Sequence, residues 1–324
     1  MCILMRLRVL FFLTCLILLA TAVAGTAKTV NIGIAQIAEH PALDAARQGF
    51  VDRLAELGYQ EGQQVVYDVR NAQGDMATAQ TIARKFVADG VDMILAIATP
   101  TAQAAANVTN KIPILITAVT DPEAAGLVKS NASPGTNVTG TSDLNPVAEQ
   151  IALVKTLNPQ ARRLGVVYNA GETNSVVQVD LARQAARSEG MTLVEATASN
   201  TSEVLQAAQS LVGRVDAIYV PTDNTVVSAL ESVIMVTERA KIPLIAGEAD
   251  SVRRGAIATL GIDYYRLGRQ TADMAVQVLK GSDPATMPIQ YQQELRLIIN
   301  LQAAERMGVK IPQSLIDKAD DIVR

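Results

Sequence analysis

Chemically reactive side chains are scarce in this 324-residue chain. It has no tryptophan, two cysteines and one histidine, His40. Both cysteines, Cys2 and Cys15, fall within the first 24 residues. The chain beyond them therefore offers no disulfide, thiolate nucleophile or cysteine metal ligand. A single histidine excludes most histidine-based metal sites and would make any Ser-His-Asp triad rest on His40 alone. GxGxxG, the P-loop pattern, GxSxG and HExxH are all absent. No basic cluster or aromatic-basic stripe occurs, which excludes binding to a phosphate backbone. Past those 24 residues the only phenylalanines are Phe50 and Phe86. The core must then be Ala, Val, Ile and Leu, which suits helices packed on parallel strands. These absences predict a protein with no catalytic step, no cofactor and no metal.

The first 24 residues read as an export signal. Arg6 and Arg8 precede an apolar run from Val9 to Ala20, and Ala22-Val23-Ala24 fits a cleavage site. The run is short for a membrane span. Thr14 before Cys15 does not suit lipid attachment, so the expected product is soluble and exported, beginning at Gly25 or just after Ala27. Removing Arg6 and Arg8 leaves 26 basic against 32 acidic residues, a net charge of −6.

The chain carries one pattern twice. Val91–Asp121 reads VDMILAIATPTAQAAANVTNKIPILITAVTD, and Val215–Asp250 reads VDAIYVPTDNTVVSALESVIMVTERAKIPLIAGEAD. Each is Val-Asp, an apolar strand, a Pro-Thr turn, a helix, Lys-Ile-Pro, another apolar strand and an acidic turn. Asn137–Asp143 and Ala256–Asp263 extend the parallel. Around them apolar strands alternate with helices that glycines such as Gly58, Gly90 and Gly190 terminate. Short, fully apolar strands between helices imply parallel sheets covered on both faces. The expected fold is α/β: two similar doubly wound lobes of about five strands each, joined by crossing strands. Lobe one is read as residues 28–142 plus about 264–292, and lobe two as 143–263 plus about 293–324. Asp143–Pro146 and Asp263–Tyr265 are the expected crossings. A cleft between like lobes is a place to enclose a ligand.

In such sheets ligands meet the carboxyl ends of the strands, where helix N-termini present free N–H groups. Thr99-Pro100-Thr101 is one such turn, with Thr99 as the expected cap and Thr101 as a holder of a ligand carboxylate. Its counterpart, Pro221-Thr222-Asp223-Asn224, offers a carboxylate instead. That asymmetry suits a zwitterion, its carboxylate toward lobe one and its ammonium toward Asp223. Thr120 and Asp121 form a third turn, in which Asp121 also reads as a helix cap. The polar run from Tyr168 through Glu172, Asn174 and Ser175 is a fourth, with Glu172 as an alternative ammonium partner. Gln36 and Glu248 end their strands as further ligand groups. His40, before Pro41, reads as a surface or capping residue.

These residues carry a resemblance. His40-Pro-Ala-Leu-Asp44, Ala98-Thr-Pro100, Val119-Thr-Asp-Pro122, Pro134–Gly140, Tyr168-Asn169, Glu172, Asn174-Ser175, Pro221–Asn224 and Gly261-Ile-Asp-Tyr264 occur in order along the chain. The chain is similar to ABC-transporter substrate-binding proteins of the tryptophan/tyrosine type. The resemblance implies a periplasmic, type I, two-lobed binding protein that delivers an amino acid, aromatic or large and apolar, to an inner-membrane permease and its ATPase. It implies contacts at Thr99, Thr101, Thr120, Asp121, Asn174, Ser175, Asp223 and Asn224, with no partner chain needed. Two alternatives stay open: a sensory subunit feeding a membrane receptor, and a transport receptor for a solute other than an amino acid.

Overall fold

The computed structural model describes residues 29–292 and 294–324. The expected export segment, Cys2 and Cys15 lie outside them. No helix among the described residues is long and apolar enough to cross a membrane.

Two sheets organise the chain. The first contains β1 (Val30–Gln36), β2 (Val65–Asn71), β3 (Met93–Ile97), β4 (Ile114–Val119), β5 (Val138–Ser142) and β11 (Gln290–Tyr291). Its order is β11-β5-β4-β3-β1-β2, with every pairing parallel. The second contains β6 (Arg163–Tyr168), β7 (Thr192–Thr197), β8 (Ala217–Val220), β9 (Leu244–Ala246), β10 (Ala258–Gly261), β12 (Arg296–Asn300) and β13 (Asp321–Val323). Its order is β13-β12-β10-β9-β8-β6-β7. One pairing departs from the expected all-parallel sheet: β10 and β12 run antiparallel, because the chain returns to the second sheet from the first by a crossing rather than through a helix. Strand β11 in the first sheet and strands β12 and β13 in the second bring each sheet above five strands.

The repeated pattern maps onto β3, α3 (Thr99–Ala106) and β4 in one lobe. In the other it is β8, α7 (Asn224–Ser228), α8 (Leu230–Ala240) and β9. All five residues of β3 and all six of β4 are buried, as strands covered on both faces require. Each sheet has its own apolar core. One is built around Ile34, Phe50, Phe86 and Leu95; the other around Val166, Ile218, Tyr219 and Ile245. The chain passes between the cores after β5, before α10 (Tyr264–Leu279), and between β11 and β12.

Helix α10 packs on α1 (Pro41–Glu56). Their approach is so close that a Cβ on Gly49 would sit 2.0 Å from the Tyr265 carbonyl oxygen. A Cβ on Gly268 would sit 1.8 Å from the Ala46 carbonyl oxygen. Helix α1 starts at Pro41, whose missing N–H costs nothing in a first turn. Helix α9 (Ala249–Arg254) is capped by Glu248, and α7 by Asp223.

Candidate functional site

Because the strands are parallel, their carboxyl-end turns gather at one end of each sheet, and the two ends face each other. Two cavities lie between them. The inner one is lined by His40, Thr120 and Tyr264 from the first lobe, by Asn174, Asp223, Asn224 and Glu248 from the second, and by Asp143 at the crossing. It is almost closed, at about 10 Å³, the room of a single water. The outer one is a groove of about 630 Å³ at the mouth, walled by Ile37, Met76 and Pro100 on one side and by Asn169, Ser199 and Thr225 on the other. Asn224 lines both.

The inner cavity is acidic, and no lysine or arginine among the described residues lines it. Asp143, Asp223 and Glu248 are buried, and among the described residues none of them, nor Glu172, makes an ion pair. Hydrogen bonds hold them instead. Asp223 accepts from the Asn169 N–H (2.6 Å), the Ser175 hydroxyl (2.6 Å) and the Val226 N–H (2.7 Å). Glu248 accepts from the N–H groups of Asp250 (2.6 Å) and Ser251 (2.7 Å) and from the Ser251 hydroxyl. Asp143 accepts from the hydroxyls of Thr120 (2.9 Å) and Tyr264 (2.7 Å). Burial pushes Asp223 up to about 7, with Glu172 adding to it, and pushes Glu248 up to about 7, with Asp250 adding to it. Asp143 is raised by the same loss of water. Arg254 binds both oxygens of Glu231 through Nε and Nη2, at 2.9 and 2.8 Å, while its Nη1 is buried without a partner.

His40 is not the surface or capping residue that its place before Pro41 suggested. It is buried against the cavity, makes no side-chain cap, and its Nδ1 has no partner. Burial and the Arg254 charge hold its imidazole down at about 4, so it is neutral. Asn174 Oδ1 is likewise buried without a partner.

The other sequence candidates divide. Thr120, Asn174, Asp223, Asn224 and Glu248 line the inner cavity, and Glu172 lines the groove. Ser175 does not line the cavity but touches two residues that do, donating to Asp223 (2.6 Å) and accepting from the Asn174 amide (3.3 Å). Thr101 does not face it: its hydroxyl donates back to the carbonyls of Ile97 (2.6 Å) and Ala98 (2.9 Å), closing its own strand-to-helix turn. Thr99 is not the cap, since α3 begins at it; Ala98 holds that place, and the Thr99 hydroxyl is buried without a partner. Asp121 caps the turn after it, accepting from the N–H groups of Glu123 (3.1 Å) and Ala124 (3.0 Å). Gln36 donates to the Ala38 carbonyl (2.8 Å) and to Asp44 (2.9 Å), and the Tyr168 hydroxyl donates to Glu195 (2.7 Å), so both are structural. Glu172 takes donors from Asn174, Asn224 and Thr225 on both oxygens, which leaves it little capacity for a ligand.

Sequence reasoning passed over Asp143 and Tyr264 as ligand groups, although it had marked both segments as crossings. A crossing lies at the floor of the cleft by construction, and a polar residue there is the usable signal. Two cross-lobe contacts close the walls: Gln178 donates to Thr120 (3.4 Å) and Gln103 to Thr173 (3.4 Å). Backbone strain marks the same end of the first sheet. Ala98 has φ 80° and ψ 157°, and Ala118 has φ 55°, where side chains other than glycine are disfavoured.

Comparison with known proteins is consistent across sequence and structure. Residues 31–323 match the family model described as ABC transporter substrate binding protein. A tyrosine-binding protein of Clostridioides difficile (strain R20291) is 49% identical over 273 residues, 84% of this chain and 79% of that protein. An ABC domain from Streptococcus pneumoniae, solved in complex with L-Trp, is 36% identical with a TM-score of 0.88, over 91% of this chain and 100% of that one. The ligand-free, open structure of a substrate binding protein with adhesive properties from Clostridium difficile is 45% identical, yet its TM-score is 0.68, over 91% and 99% of the two chains. Sequence divergence would order these two structures the other way. This chain is thus closer in shape to the L-Trp complex than to the ligand-free, open structure. Solute-binding proteins with bound myo-inositol or 5-methylthioribose, at 17% and 14% identity, share the two-lobed fold.

Proposed function

The chain belongs to the ABC transporter substrate-binding protein family, and from that membership we propose that it is an exported receptor for an amino acid with an aromatic or large apolar side chain. It encloses the zwitterion between its lobes and hands it, as a monomer in the periplasm, to an inner-membrane permease with its ATPase. No step of this work is catalytic.

One observation carries the reading: buried carboxylates surround a cavity that no lysine or arginine among the described residues lines, and two of its lining residues, His40 and Asn174, have buried atoms without partners, Nδ1 and Oδ1, that can act as acceptors. Burying a charge without a partner costs several kcal/mol. A ligand ammonium offsets that cost at Asp223, Glu248 and Asp143 together. The ligand carboxylate turns toward the start of α3, where the Thr99 hydroxyl has no partner and the helix dipole favours an anion. The side chain runs out past Asn224 into the groove, whose volume of about 630 Å³ accommodates an indole or phenol. The relatives' ligands, tyrosine and L-Trp, fit this division of labour.

The inner cavity must widen to admit any amino acid, and separation of the lobes does this. Residues 28–142 with about 264–292 move as one body against 143–263 with about 293–324, hinged at Asp143–Pro146, Asp263–Tyr265 and the third crossing. Ligand contacts to both lobes then favour the closed form.

Calorimetric titration of ligand-stripped protein with amino acids, sugars and purines tests the proposal. Saturable binding of L-tyrosine or L-tryptophan is the expected result. Binding confined to sugars or purines would overturn it.

A further inference from the structure

An ammonium held by Asp223 does not by itself account for His40. His40 is 8% exposed and lines the inner cavity, and its Nδ1 is buried with no partner. Its other side meets the Asn224 amide across the lobe boundary. The Asn224 amide nitrogen donates one of its two protons to Glu172 (2.6 Å), and the amide oxygen is the acceptor that suits an imidazole N–H. With the imidazole proton on that side, the unpartnered Nδ1 is a lone-pair acceptor. Among the charged and titratable groups around the ring, Arg254 from α9 favours the neutral form and Asp44 on its own helix opposes it, with burial the largest influence; Asp143, Asp223, Glu248 and Tyr264 share the cavity with it.

A primary ammonium has three N–H donors. The cavity presents three kinds of acceptor that can meet them: His40 Nδ1 from the first lobe, and Asn174 Oδ1 and the Asp223 carboxylate from the second. We propose that His40 is a specificity-determining residue, its Nδ1 accepting one N–H of the ligand's primary ammonium and so selecting it over N-substituted analogues. This rests on the zwitterion reading above and adds a bridge to it: the ammonium's donors are all satisfied only when His40 and Asp223 approach from opposite lobes. An N-methyl group removes one donor and places a methyl in a cavity of about 10 Å³.

The test is calorimetric titration of L-tyrosine and N-methyl-L-tyrosine into wild type, His40→Phe and His40→Asn, each checked for an unchanged unfolding midpoint. Wild type should favour L-tyrosine by about tenfold or more, the range of one hydrogen bond to a charged group. His40→Phe fills the space without an acceptor and should lose about tenfold on L-tyrosine and most of the discrimination. His40→Asn places a carbonyl oxygen near the Nδ1 position and should recover much of both. Equal binding of the two ligands by wild type would overturn the inference, as would a phenylalanine variant that keeps the discrimination or an asparagine variant that fares no better. Wild type that binds neither L-tyrosine nor L-tryptophan would instead bring down the zwitterion reading and this inference with it.

Discussion

The Tyr264 hydroxyl donates to Asp143 across 2.7 Å, tying the first residue of α10 to the residue that follows β5. These are two of the points at which the chain passes between lobes, so the bond sits on the hinge and on the cleft floor together. Tyr264→Phe removes one of the two side-chain donors to a buried acid and leaves only Thr120. The variant should lose about 1–3 kcal/mol of stability, the cost of an unsatisfied buried group. Urea unfolding of the ligand-free protein measures this, and an unchanged midpoint would show that the bond contributes nothing.

Much of this architecture was legible in the sequence because each repeat keeps its strands wholly apolar and its turns polar. β3 and β4 stand out as uninterrupted runs, and their ends name the cleft. Helix α10 was not legible: Gly268 breaks its pattern, and the reason for that glycine is the Ala46 carbonyl on another helix. Thr101 misled for a related reason. A hydroxyl at a helix start has two uses, toward a ligand or back to its own turn, and only the bond to Ile97 decides between them. His40 misled because a residue before proline at a helix start is usually exposed, whereas here the facing lobe covers it. Contacts made by the opposite lobe leave no trace in local spacing.

Asp223→Asn should separate binding from folding. The amide keeps the shape but removes the charge, and its NH2 must face a donor, either Val226 N–H or the pair Asn169 N–H and Ser175 hydroxyl. Affinity for L-tyrosine should fall by about 100-fold or more, in line with losing a buried charge partner. Stability should fall by only about 1–3 kcal/mol. Titration and unfolding on one preparation distinguish the two, and affinity within about threefold of wild type would sink the assignment of the ammonium to Asp223.

Strain at Ala98 makes a prediction of the opposite sign. At φ 80° and ψ 157° an alanine costs about 1–3 kcal/mol. Ala98→Gly relieves this and returns about 0.5–1 kcal/mol as chain entropy. The variant should be more stable by about 1 kcal/mol in urea unfolding. A loss of stability would mean that the alanine methyl packs better than its backbone is strained.

Acid and base should act on opposite partners. Asp223 and Glu248 titrate at about 7 in the folded protein, above their ordinary values of 3.8 and 4.5. Their contribution to ligand-free stability is fully present below those ordinary values and is lost as pH rises through about 7. His40, lowered from 6.5 to about 4, contributes in the other sense: its share is present above 6.5 and is lost as pH falls through about 4. An ammonium needs ionised carboxylates, so affinity for L-tyrosine should rise with pH through about 7 while binding releases protons. Titrations in buffers of different ionisation enthalpy would show that release; heats independent of buffer would count against it.

Glu172 offers the sharpest separation between a ligand group and a neighbour of one. Its oxygens are occupied by donors from Asn174, Asn224 and Thr225, so it organises the turn instead of meeting the ammonium. Its charge nonetheless helps to raise Asp223. Glu172→Gln must turn an NH2 toward some of those donors, and stability should drop by about 1–3 kcal/mol. At alkaline pH, where Asp223 is ionised in both proteins, affinity for L-tyrosine should stay within about threefold of wild type. The midpoint of the affinity-against-pH curve should move to lower pH, because Asp223 then loses its proton without a negative neighbour. A midpoint that stays in place, with affinity lost at every pH, would identify Glu172 as the ammonium partner and Asp223 as only the cap of α7.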